Sequence, residues 1–265
     1  MGKRLLLVLV AGIILTAGAR AEPGAWKRVG NAGEWKDTIA GTTFKNRIYT
    51  VEKSGGLFVT DPATGAWKQL GKAEFANTTH LFPTADGLNS IESDGSMYRV
   101  NPEDGSWERV GNAGDWKDTA AGTSLNGSIY TAEKNGGLYE TNPATGERKQ
   151  LGKPEFAATT FMFASGTSLY TIENDGSLYR VSPADGSWER VGNAGDWKGT
   201  AAGVGLKDRL YTTESSGALY ETDPATGQWK QLGEAAFGNT THMFHARGKL
   251  YTIENDGSLY EVDVK

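Results

Sequence analysis

A period of about 40 residues governs this 265-residue chain. Trp107 recurs as Trp26, Trp67, Trp188 and Trp229, with Arg148 standing in the remaining copy, at alternating intervals of 41 and 40 residues. Six copies result, arranged as three odd–even pairs. Self-similarity of this length marks a unit that cannot bury its apolar face alone and must stack against its neighbours. The architectures that do so are solenoids and propellers.

Each copy holds four short β-like runs. In the third copy they are Thr119–Leu125 (A), Ser128–Lys134 (B), Gly137–Asn142 (C) and Arg148–Gly152 (D). Asp94-Gly95, Asn135-Gly136, Asp175-Gly176 and Asp256-Gly257 join B to C, and their composition predicts two-residue type I′ hairpins there. Segments such as Asp61-Pro62-Ala63-Thr64-Gly65 join C to D, with proline presetting the turn and glycine closing it. Solenoid coils are shorter and lack such hairpin turns. The expected fold is therefore an all-β, six-bladed β-propeller with four antiparallel strands per blade. A D-type run, Trp26–Gly30, precedes the first complete copy, and a C-type run, Ser258–Val262, ends the last. Pairing the two would close the ring and remove an open sheet edge.

Lys3 and Arg4, an apolar run from Leu5 to Leu15 and then Ala19-Arg20-Ala21 form a secretory signal pattern. The apolar run is short for a membrane span. The expectation is a signal peptide over residues 1–21, a single propeller domain over 22–265, and a secreted or periplasmic product with no membrane attachment after cleavage. Losing three of the 27 basic residues with the leader leaves 24 against 32 acidic ones, a formal charge of −8. Such a surface repels phosphate and argues against a general nucleic-acid partner. With no cysteine, stability must come from packing and strand pairing.

Comparison of the copies separates scaffold from candidate site. All ten tyrosines fall in B or C, with Asn89 and Phe58 in the two remaining slots, a recurrence that suits packing between blades. In run A the odd copies carry Ala40-Gly41, Ala121-Gly122 and Ala202-Gly203. The even copies carry His80-Leu81, Phe161-Met162 and His242-Met243, followed by Phe82, Phe163 and Phe244. Small beside large predicts that neighbouring blades interdigitate in odd–even pairs. Phe161 in the slot of His80 and His242 argues against a metal site there, since phenylalanine cannot ligate.

Two candidate sites emerge. Glutamate ends run B in every copy: Glu52, Glu92, Glu133, Glu173, Glu214 and Glu254. They are read as carboxylates held by backbone N–H groups of the D–A connection, with lowered pKa values. The alternative is a carboxylate ring at the propeller mouth binding a cation or a polyhydroxylated ligand. The D–A connections of odd copies supply Trp35 with Asp37, Trp116 with Lys117 and Asp118, and Trp197 with Lys198. These form a candidate three-fold set of sugar-binding pockets on the face shared with the B–C turns. An aromatic in every copy also suits a plug in the blade seam.

The stretch GSLYRVSPADGSW, Gly176–Trp188, resembles the repeat core of tachylectin-like propeller lectins. The resemblance implies a propeller and points towards a lectin. No nucleophile–base set stands out, so the expected function is a non-catalytic, monomeric binding module without cofactor or metal. Its ligand would be a glycan or other polyhydroxylated molecule, with a protein–protein scaffold as the alternative.

Overall fold

The computed structural model describes residues 22–265, so the expected leader lies outside the described residues. Twenty-four strands, from β1 (Trp26–Val29) to β24 (Leu259–Val262), form six four-stranded antiparallel sheets. The order within each sheet is A-B-C-D, the arrangement of a six-bladed β-propeller. In blade 2 the four are Thr78–Pro83, Leu88–Glu92, Met97–Val100 and Trp107–Val110. The A strands surround a central channel and the D strands form the rim. β1 pairs antiparallel with β24, Trp26 opposite Val262 and Val29 opposite Leu259, and so completes blade 6 as expected.

Turn chemistry departs from expectation in one respect. The two-residue hairpins lie between A and B, where Lys45-Asn46, Asn126-Gly127 and Arg247-Gly248 have both residues at positive φ. At the B–C turns only the glycine is left-handed, for example Gly95 at φ 81°. Glu92 N–H bonds the Ser96 carbonyl and Gly95 N–H bonds the Glu92 carbonyl, which is a three-residue loop closed by a glycine bulge. The Asp94 carboxylate accepts from Ser96 N–H at 2.8 Å, so the aspartate fixes the turn from its side chain.

The seams are of two kinds. Blades 1–2, 3–4 and 5–6 share one kind of core, built on Leu57 and Leu88 in the first pair and on Leu138 and Leu169 in the second. The other three seams hold the even-blade phenylalanines. A Cβ added to Gly122 would lie 2.8 Å from Phe82 Cζ, and one on Gly203 would lie equally close to Phe163. Gly41 meets Phe244 in the same way at 2.7 Å. Each large ring therefore sits over the glycine of the following odd blade, the packing that the size rule predicts.

Candidate functional site

The D–A tryptophans lie inside the seams. Trp35, Trp116 and Trp197 are 1%, 1% and 3% exposed. Each backbone N–H donates to the glycine carbonyl of the preceding blade's B–C turn, as Trp116 does to Gly95 at 3.1 Å. The indole Nε1–H of each points to a buried threonine, Trp35 to Thr60 at 3.4 Å and Trp197 to Thr222 at 3.4 Å. Phe75, Phe156 and Phe237 plug the alternate seams. The expected sugar-stacking set is thus corrected: these rings are wedges with no face open to a ligand. Asp37, Lys117, Asp118 and Lys198 are exposed beside them. The Asp37 and Asp118 carbonyls accept from Lys53 N–H and Lys134 N–H, stitching the connection to the end of strand B.

The glutamates are also placed differently. The axial channel, about 360 Å³, is lined by strand A alone, so the carboxylates do not ring its mouth. Each is bound within its own blade. Their donors are hydroxyls at the start of strand A, not backbone N–H groups: Thr38 to Glu52 at 2.8 Å, Thr78 to Glu92 at 2.7 Å, Thr159 to Glu173 at 2.8 Å and Thr240 to Glu254 at 2.8 Å. Burial raises the pKa of all four above the usual carboxylate range, and the threonine bond offsets only part of this. The expected lowering is therefore corrected, because hydroxyl donors do not outweigh the lost hydration. Glu133 takes 3.2 Å from Thr119 and 2.6 Å from the Arg148 guanidinium. Glu214 accepts from Ser216 at 3.3 Å, and the Thr200 hydroxyl has no partner among the described residues. Among these residues no three His, Asp or Glu side chains gather into a metal-holding group.

In the channel, His80 and His242 stack on Phe82 and Phe244 at 5.9 Å and 6.2 Å, just as Phe161 stacks on Phe163 at 6.2 Å. Burial pulls the His80 pKa down to about 4 and lowers that of His242. Both imidazoles behave as aromatic wall residues, neutral at pH 7.

One exception to the repeat lies beside an open surface instead. Tyr49 in strand B of blade 1 donates from its hydroxyl to the Pro102 carbonyl of blade 2 at 3.4 Å. In blade 2 the shorter Asn89 fills that slot and reaches the equivalent Pro143 carbonyl of blade 3 at 3.0 Å. Beside it lies a cleft of about 480 Å³ on the A–B face of the blade 2–3 seam, lined by Asp86, Asn89, Arg99, Ser128, Glu140 and Lys149 among others. Asp86 and Arg99 also line a second hollow of about 440 Å³ that runs to Trp107. The rim tryptophans were not singled out as ligand residues from sequence, yet they are the exposed ones: Trp26, Trp67, Trp107, Trp188 and Trp229 are 38–51% accessible. Each D-strand ring leans on the aromatic ring of strand C, Trp107 on Tyr98 edge-on at 4.9 Å and Trp67 on Phe58 at 4.4 Å.

No protein-family model and no curated protein sequence matches the chain. Solved structures do match in fold. Virginiamycin B lyase from Staphylococcus aureus, in an inactive variant with quinupristin, aligns with a TM-score of 0.62 at 13% identity over 91% of this chain and 89% of that one. The computationally designed protein Ika8 aligns at 0.58 and 16% identity over 92% and 84%. YCF48 from Cyanidioschyzon merolae aligns at 0.54 and 13% identity over 90% and 98%. At these identities the likeness is one of fold: the chain is a six-bladed β-propeller, similar in architecture to an enzyme, a designed protein and YCF48.

Proposed function

We propose that the protein is an exported, non-catalytic binding module whose ligand is a glycan or similar polyhydroxylated molecule. The ligand lies in the cleft between blades 2 and 3. The observation that carries this reading is the replacement of the strand B tyrosine by Asn89 beside that cleft. The wall is dense in planar polar groups, Arg99, Asn126, Glu140 and Asn142, which match the paired hydroxyls of a sugar; Asn89 lies fully buried behind them, donating to the Pro143 carbonyl and accepting from Thr84 at 3.3 Å. Arg99 is held by Glu108 across the C–D pair, and Glu140 accepts from Ser128 at 2.9 Å and Tyr130 at 3.3 Å, so both are pre-positioned. Trp107, 45% exposed, offers an aromatic platform at the end of the adjoining hollow. A cleft of this size is ordinary for a small-ligand site. The site lies on the A–B face, opposite to the D–A connections.

A glycan panel probed with residues 22–265 tests this. Asn89→Tyr restores the side chain that other blades carry and fills the cleft. Binding by the parent and its loss in Asn89→Tyr at unchanged melting temperature is the expected result. Equal glycan binding by both proteins, or none by the parent, would remove the reading and leave the protein-scaffold alternative.

A further inference from the structure

We propose that a pocket on the opposite face, at the seam of blades 1 and 2, binds a guanidinium group, with Glu92 as its carboxylate and Tyr98 and Trp107 as its aromatic walls. The argument comes from the third blade, where the chain fills the equivalent position with its own side chain. Arg148 replaces the rim tryptophan there. Its guanidinium lies 4.2 Å from the Tyr139 ring centre and 5.4 Å from that of Trp116. One terminal nitrogen donates to the Glu133 carboxylate at 2.6 Å, and the other donates to the Asp115 carbonyl. This is a guanidinium cage of two aromatic faces and two acceptors.

The same positions 41 residues earlier are Tyr98, Phe75, Glu92 and Glu74, with Trp107 in place of the arginine. There they line an open pocket of about 180 Å³ together with Asn77 and Asp94. Trp107 packs edge-on against Tyr98 at 4.9 Å and donates its Nε1–H to the Glu74 carboxylate at 2.9 Å, which leaves Glu92 as the acceptor that no cation among the described residues answers. The cage walls are therefore present in blade 2 without the internal cation. Glu92 receives hydroxyl bonds from Thr78 and Ser90 on one oxygen only, at 2.7 Å and 3.3 Å. Among the described residues none of Glu74, Glu92 and Asp94 has an ion-pair partner. Burial and the neighbouring Asp94 both raise the Glu92 pKa, which is what a carboxylate lacking its cation does. Blade 4 keeps the acids and aromatics but has Ala158 where blade 2 has Asn77, so it lacks that amide. A guanidinium is favoured over an ammonium because its plane can lie along an aromatic face while its edge meets the carboxylate.

The test is titration of residues 22–265 with N-acetyl-arginine amide, followed by calorimetry and by the indole resonances, with N-acetyl-lysine amide as control. Free arginine, titrated beside a Gly-Arg-Gly peptide, distinguishes the amino acid from a peptide-borne arginine. Saturable binding of the arginine compound, about tenfold tighter than the lysine one, is expected. Glu92→Gln, and independently the exposed Glu74→Gln, should each weaken it by about tenfold. Arg148→Ala should open the blade 3 cage and raise the stoichiometry by one. Asn89→Tyr should leave arginine binding intact, so failure here and failure of the glycan reading are separable. Absence of saturable binding by the parent, or binding that neither glutamate variant weakens, would overturn the proposal.

Discussion

A buried glutamate with only hydroxyl donors costs stability when it ionises. Glu52, Glu92, Glu173 and Glu254 have folded pKa values raised above the unfolded one, chiefly by burial. Their contribution is fully present below the unfolded value of about 4.3 and is lost as pH rises through the folded values. Glu173→Gln keeps the acceptor for Thr159 and removes the charge. It should therefore melt higher than the parent at pH 7, with the gain vanishing below about pH 4. Glu133 differs because Arg148 answers it, with the two side chains only 4% and 17% exposed. Glu133→Gln should cost about 3 kcal/mol at pH 7, measured by denaturant unfolding, because it strands a buried guanidinium. His80 has the opposite sign to the four glutamates. With its folded pKa near 4, its neutral form contributes stability above about 6.5 that drains away as pH falls through 4. His80→Phe, copying Phe161, should match the parent at pH 8 and exceed it at pH 4.5.

At the scale of the strand, odd–even pairing is a matter of single atoms. Gly122 has room for no Cβ, since one would meet Phe82 Cζ at 2.8 Å and the Tyr130 carbonyl at 2.9 Å. Gly122→Ala should cost about 1–3 kcal/mol despite alanine's better intrinsic preference for ordered structure. Phe82→Leu in the same chain should recover part of that loss. Thermal melts of the two single variants and the double settle whether the contact is direct. The alternation was legible because residue size recurs with the period, and volume is a property that sequence states outright. Turn type was less legible. Asp94-Gly95 carries the composition of a two-residue hairpin, but Gly95 must pass within 2.4 Å (taken from its would-be Cβ) of Lys117 N in the next connection. Contact with a neighbouring blade thus selects the three-residue loop. No local pattern announces that contact.

For the whole ring, strand content, blade count and closure follow from the period, because a repeat that must bury both faces has few ways to stack. The site does not follow in the same way. Two aromatic candidates precede strand A of each odd blade, one in the D–A connection and one at the head of the D strand before it. Which one enters the seam depends on the backbone bond from the connection to the B–C turn of another blade. Trp116 makes that bond and is buried, whereas Trp107 leans on the rim and stays open. The informative signals were the departures from the repeat, Asn89 and Arg148, which mark the cleft and the filled cage. Closure itself rests on nine residues. Deleting 22–30 removes β1, exposes the β24 edge and frees Glu261 from Lys27, its partner at 3.2 Å. Trp26 is 51% exposed, so its loss is a smaller part of the cost than a core tryptophan would be. Val29, 5% exposed, contributes about 1.5 kcal/mol by burial alone, and the four-residue ladder adds to it. The truncated protein should melt at least about 3 °C below the parent. The bare edge should also pair with other chains, so light scattering should detect dimers or larger species at concentrations where the parent is monodisperse. An unchanged melting temperature together with an unchanged mass would mean that five complete blades and a three-stranded sixth close the ring without β1.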